Sequence, residues 1–149
     1  MEYKARALKM MLSATGYAGV TISGVSMWPV LQDGQKAEVV YCSQYEIGDI
    51  LVYGYKSEGI LVHRLLKIEN GIYFCKGDNS FRLEAIIARQ VIGKVKIKDD
   101  RNNNINFVVY SLRIAELFRY CNYDVDKTKQ QSEYVEYCQK YLNARKNIQ

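Results

Sequence analysis

Ile60-Leu61-Val62-His63-Arg64-Leu65-Leu66-Lys67-Ile68-Glu69-Asn70-Gly71-Ile72-Tyr73-Phe74-Cys75 is the stretch that decides the fold. Two runs rich in β-branched and aromatic side chains flank Asn70-Gly71, a dipeptide that readily takes the two positive φ angles of a tight hairpin. An antiparallel pair is expected over residues 60–68 and 72–75. Outward from it, the same composition recurs at 37–42, 50–55, 91–97 and 105–110, and Val20 and Ile22 alternate with polar residues. Asp33-Gly34, Gly48-Asp49, Gly77-Asp78-Asn79 and the polar segment 99–104 supply turns between the runs. Short strands at this spacing predict a mainly β (α+β) chain, with a coiled antiparallel sheet or partly open barrel at its centre.

The two ends change period. Residues 1–17 read as an amphipathic helix ended by Gly16, with Tyr3, Ala7, Met10 and Met11 as the apolar stripe and Lys4, Arg6 and Lys9 facing water. That stripe is expected to pack on the domain or on a partner rather than on a membrane. Residues 18–110 form the β domain and 111–149 a helical hairpin. Ser111 caps its first helix; Asp124 or Asp126 starts a second over residues 127–145.

The 149 residues suit one domain, and 48% apolar with 25% charged residues is an ordinary globular balance. The net charge of +5 comes from scattered Lys and Arg and marks no nucleic-acid site. Cys42, Cys75, Cys121 and Cys138 show no C-x-x-C spacing. With a single histidine they predict no metal centre and read as buried thiols of a reducing, cytoplasmic compartment. The uncharged stretch 10–32 is too rich in Gly, Ser and Thr to span a bilayer, so no integral membrane segment is expected; peripheral membrane contact stays open.

Three stretches carry chemistry. Ser23-Gly24-Val25-Ser26-Met27-Trp28-Pro29-Val30-Leu31 puts a serine between a strand and a proline-fixed turn, where successive backbone N–H groups can face one hollow. Gly24 lets a substrate strand come close, and Ser26, Met27 and Pro29 shape the oxyanion and substrate region. His63, the only histidine, is the one imidazole base available to a serine nucleophile. Asp78, in Lys76-Gly77-Asp78-Asn79-Ser80, is the carboxylate expected to orient it.

Residues 23–31, 48–52, 62–66 and 76–79, in this order, resemble the nucleophile, Gly-Asp, base and Gly-Asp-Asn boxes of the type I signal peptidase family. Val91-Ile92-Gly93-Lys94-Val95 resembles the strand that follows. His63-Arg64, in place of Lys-Arg, is similar to the endoplasmic-reticulum type. The resemblance implies the signal-peptidase fold and a serine endopeptidase with no cofactor. Ser26 would be the nucleophile, its N–H an oxyanion donor, His63 the base and Asp78 its support, with Glu84 as a possible second acid. A peptide or protein precursor with small side chains near the cut would be the substrate, and the terminal helices could meet a protein partner. The chain departs from the family in having no recognisable anchor and a glycine two residues before the nucleophile. Two other readings remain: a non-catalytic peptide-binding module on the same fold, and a self-cleaving repressor-like peptidase. The latter calls for a lysine base and for more residues before Ser26 than this chain has. An imidazole base predicts activity rising from acid to neutral pH.

Overall fold

The computed structural model describes residues 3–99, 101–102 and 104–142. Helix α1 (Tyr3–Thr15) is followed by strands β1 (Tyr17–Thr21), β2 (Lys36–Val40), β3 (Ile50–Gly54), β4 (Ile60–Glu69), β5 (Ile72–Lys76), β6 (Glu84–Ile87) and β7 (Val91–Val95). Helices α2 (Ile105–Tyr120), α3 (Val125–Lys129) and α4 (Ser132–Tyr137) follow, with a π-helical turn at Cys138–Leu142. The seven strands form one antiparallel sheet in the order β1-β2-β7-β3-β4-β5-β6, curled into a half-barrel. This is the mainly β, α+β architecture expected from the strand spacing.

The deciding hairpin forms as the sequence dictates. Asn70 and Gly71 have φ of 52° and 76°, and Glu69 pairs with Ile72. Further along, Leu65 faces Cys75 but Lys67 faces Phe74, so β4 carries a bulge at Leu66, a device that bends a strand and increases its twist. Three buried clusters form: Phe107, Ile114, Tyr137 and Leu142 make the one of the C-terminal helices, and of the other two, one includes Ile50, Val52 and Ile92 beneath α1 and the other Leu51, Tyr53 and Leu65. The alternation of residues 50–53 between them is the period of two of a strand buried on both faces.

Several expectations are corrected. Residues 105–110 are not a strand but the first turns of α2, whose N-cap Asn104 accepts a hydrogen bond from the Phe107 N–H at 3.1 Å. Phe107, Val108, Ser111 and Ile114 are its buried residues, a helical period that overrides β-propensity. Ser111 therefore lies inside the helix instead of capping it, and the helical region begins before residue 111. The second helix, expected over 127–145, is broken into α3 and α4, with Asp124 capping α3 through the Lys127 N–H; residues 143–145 lie outside the described part. Strand β6 has little signature in the sequence, because four residues after a polar loop carry little periodicity.

On α1 the packed face is Ala5, Leu8 and Leu12, whereas Tyr3, Ala7, Met10 and Met11 face outward. The helix carries apolar residues on two faces, and packing on β1 and β7 selects the other one. Gly16 ends it as expected, with φ of 82° and its N–H on Leu12 O. All four cysteines are free thiols, but only Cys75 is fully buried. Among the described residues, no helix is long and apolar enough to cross a membrane.

Candidate active site

Ser26 lies in the turns that follow β1. Met27 and Leu31, both buried, anchor this segment in the core beneath α1 and leave Ser26 half-buried between core and solvent. The Gly24 N–H donates to Asp33 at 2.8 Å, and the Trp28 N–H to Val25 O at 3.1 Å. Gly24 has φ of 86° and open space where a Cβ would stand, so the turn requires its backbone conformation rather than its small size. The Trp28–Pro29 bond is cis.

The Gly77-Asp78-Asn79 loop clamps this turn. The Asn79 N–H donates to Ser26 O at 2.8 Å and the Asn79 side-chain amide to Val25 O at 3.1 Å. A Cβ on Gly77 would stand 2.6 Å from Ser26 O, so this position tolerates only glycine. Asp78 N–H reaches the Met27 sulfur at 3.4 Å.

His63 belongs to the part of β4 that pairs with β3 alone, since the pairing with β5 starts at Arg64. Its Nε2 lies 3.0 Å from Ser26 Oγ and its Nδ1 2.6 Å from Glu84 Oε1. The Tyr53 hydroxyl donates to Glu84 Oε1 at 2.7 Å, and Arg82 Nε donates to Glu84 Oε2 at 2.9 Å. Arg82 is itself held by both carboxylate oxygens of Glu58 at 3.1 Å. Burial pushes the Glu84 carboxyl up, but the imidazole, Tyr53 and Arg82 outweigh it and hold the group below the ordinary carboxylate range. Burial above all raises the Tyr53 phenol, which stays protonated and a donor. An ionised Glu84 accepts from Nδ1–H and so leaves Nε2 free to accept from Ser26.

The acid beside the imidazole is thus Glu84, and the assignment of Asp78 is corrected. Both Asp78 oxygens are taken by Arg64, Nε to Oδ1 at 2.9 Å and Nη2 to Oδ2 at 2.8 Å. Arg64 also donates to Gly48 O at 2.8 Å and Asn102 Oδ1 at 2.6 Å, and stacks on Phe107 of α2. Asp78 O accepts from the Tyr137 hydroxyl at 2.5 Å. A Cβ on Gly48 would run into the Asn102 backbone, which explains that glycine. Buried Lys76 donates to Ser111 Oγ at 2.8 Å in the same region, and burial lowers its pKa to about 8.

A cleft of about 300 Å³ opens at Ser26 and His63, walled by residues 20–23 and 60–63. Met27 contributes to its lining; Gly24 and Pro29 do not, so their expected substrate contacts become roles in shaping the turn. Among the described residues, no cluster of three or more His, Cys, Asp or Glu is placed to hold a metal ion. Tyr53, Arg82 and Glu58 were not read from the sequence. The one signal was local: a carboxylate leading the apolar run Ala85-Ile86-Ile87. Compared with protein-family models and with curated proteins, the chain matches none.

Proposed function

We propose that the chain is a serine endopeptidase of the signal-peptidase type that cuts a leader or signal segment from a precursor peptide. The single observation that carries this reading is the continuous line Ser26 Oγ–His63 Nε2–Glu84, with steps of 3.0 and 2.6 Å. Ser26 Oγ attacks the scissile carbonyl carbon as its proton passes to Nε2. The Ser26 N–H, which has no intramolecular acceptor among the described residues, would donate to the oxyanion. Collapse of the tetrahedral intermediate sends the proton from Nε2 to the leaving amine and leaves an acyl-enzyme. A water, deprotonated by His63, then releases the acid and restores Ser26. Glu84 stays ionised, fixes the tautomer and stabilises the imidazolium.

The cleft supports an extended substrate. Among the described residues, β1 ends the sheet and pairs only with β2, and residues 60–63 of β4 pair only with β3. A peptide strand laid between these two edges would gain backbone hydrogen bonds with its scissile bond beside Ser26. The resemblance of the four boxes adds a preference for small side chains near the cut. The four free thiols support a reducing, cytoplasmic setting.

A fluorophosphonate probe tests the reading. Wild type is expected to be labelled on Ser26, and Ser26→Ala and His63→Ala to lose labelling and peptide cleavage by roughly a millionfold in kcat with unchanged circular dichroism. Cleavage that persists in purified Ser26→Ala would overturn it.

A further inference from the structure

Helix α1 packs its Ala5, Leu8 and Leu12 face on the sheet, yet its outward pole is also apolar. Tyr3 is 77% exposed, Met10 73% and Met11 55%. At 100° per residue, Tyr3, Ala7, Met10 and Ala14 fall together on the side opposite the packed face. Arg6 and Lys4 flank this pole on either side, with Lys9 beyond Arg6, and residues 3–15 contain no acid. Exposed Tyr17 and Tyr41 stand at the helix's C-terminal end, where the Tyr41 N–H meets Gly16 O and the Thr15 hydroxyl donates to Tyr17 O. None of these exposed side chains is needed by the core.

We propose that the outward face of α1 binds the surface of an anionic lipid bilayer. Methionine and tyrosine would enter the headgroup boundary, and Lys4 and Arg6 would extend their charges to lipid phosphates, while Lys9 is turned back to donate to Arg89 O at 3.1 Å; this is the arrangement of an in-plane interfacial helix. Charge selects this occupant. A second copy of the chain would set the same cations against one another, and a face of roughly 200 Å² from one thirteen-residue helix is far below the ~800 Å² per partner of a stable dimer. Strand β1, on which α1 packs, continues into the cleft wall at residues 20–23.

Flotation of the full chain with vesicles tests this without reference to catalysis, and Ser26→Ala is expected to float as wild type does. Binding should be strong on phosphatidylcholine mixed with phosphatidylglycerol, weak on phosphatidylcholine alone, and reduced by salt. Lys4→Gln with Arg6→Gln should weaken it about thirtyfold, and Met10→Ser about tenfold, with unchanged near-UV circular dichroism. No flotation on mixed vesicles, or flotation unaffected by these substitutions, overturns the proposal. So does an α1-dependent dimer seen by analytical ultracentrifugation in a chain that does not float.

Discussion

His63 and Arg64 are successive residues of β4, and each holds a buried carboxylate: Glu84 lies 2.6 Å from the imidazole, and Asp78 lies 2.8 and 2.9 Å from the guanidinium. The pleat sends the two side chains to opposite faces of the strand. On the His63 side the line of contacts ends at a half-buried hydroxyl and an open cleft. On the Arg64 side it ends under Phe107 and Tyr137 of the C-terminal helices. A carboxylate beside a titratable base at a cleft can serve proton transfer. A carboxylate locked fork-to-fork on an always-charged guanidinium in a sealed layer can only hold structure. What separates the two faces is cover and partner, not the acid itself.

The sharpest way to break this comparison is to neutralise each acid in turn. Glu84→Gln is expected to lower kcat by about 10⁴, because the tautomer and imidazolium lose their support, with a smaller loss of stability. Asp78→Asn is expected to do the reverse. It leaves Arg64 buried without its counter-charge, which costs about 3–5 kcal/mol in denaturant unfolding, while kcat per folded molecule stays within about tenfold. Exchanged outcomes in peptide-cleavage and urea-unfolding measurements would end the distinction. Next in size is Tyr53→Phe, which removes one donor to Glu84. A loss of about tenfold in kcat is expected, with a changed pH profile as the mark of a positioning role.

The smallest effect probes the covered face through pH. Lys76 in the folded protein has a pKa of about 8, against an ordinary 10.5. Between these values the unfolded chain keeps a proton that the folded chain has released, so raising the pH stabilises the fold. Wild-type stability should therefore gain a rising component from about pH 8 upward. The difference from Lys76→Met isolates that component from every other group. Parallel pH curves for the two proteins would show that Lys76 carries no such burden.

How much could be read beforehand differs between these regions. Asn70-Gly71, the β-rich runs, Ser26 and His63 were legible because each rests on local chemistry: a turn needing positive φ, strands needing branched side chains, a hydroxyl and the single imidazole. The choice of acid was not legible. Asp78 in a Gly-Asp-Asn turn and Glu84 at the start of a short strand are equally plausible as letters, and only the pairing of β6 with β5 brings Glu84 beneath His63. Residues 105–110 are helical against their local preference for a related reason: the branched side chains favour a strand until a helical face finds Arg64 and Tyr137 to cover. Likewise α1 offers two apolar faces, and the sheet takes one.

The sequence by itself determined the strand-rich body and its turns, and singled out one serine and one imidazole as the candidate pair, since backbone conformation and residue chemistry act over a few neighbours. Tertiary structure alone decided which carboxylate meets the imidazole, which is sealed away, and which side of α1 stays open. Those outcomes depend on contacts between residues far apart in the chain, where burial and charge pairing outweigh any local preference.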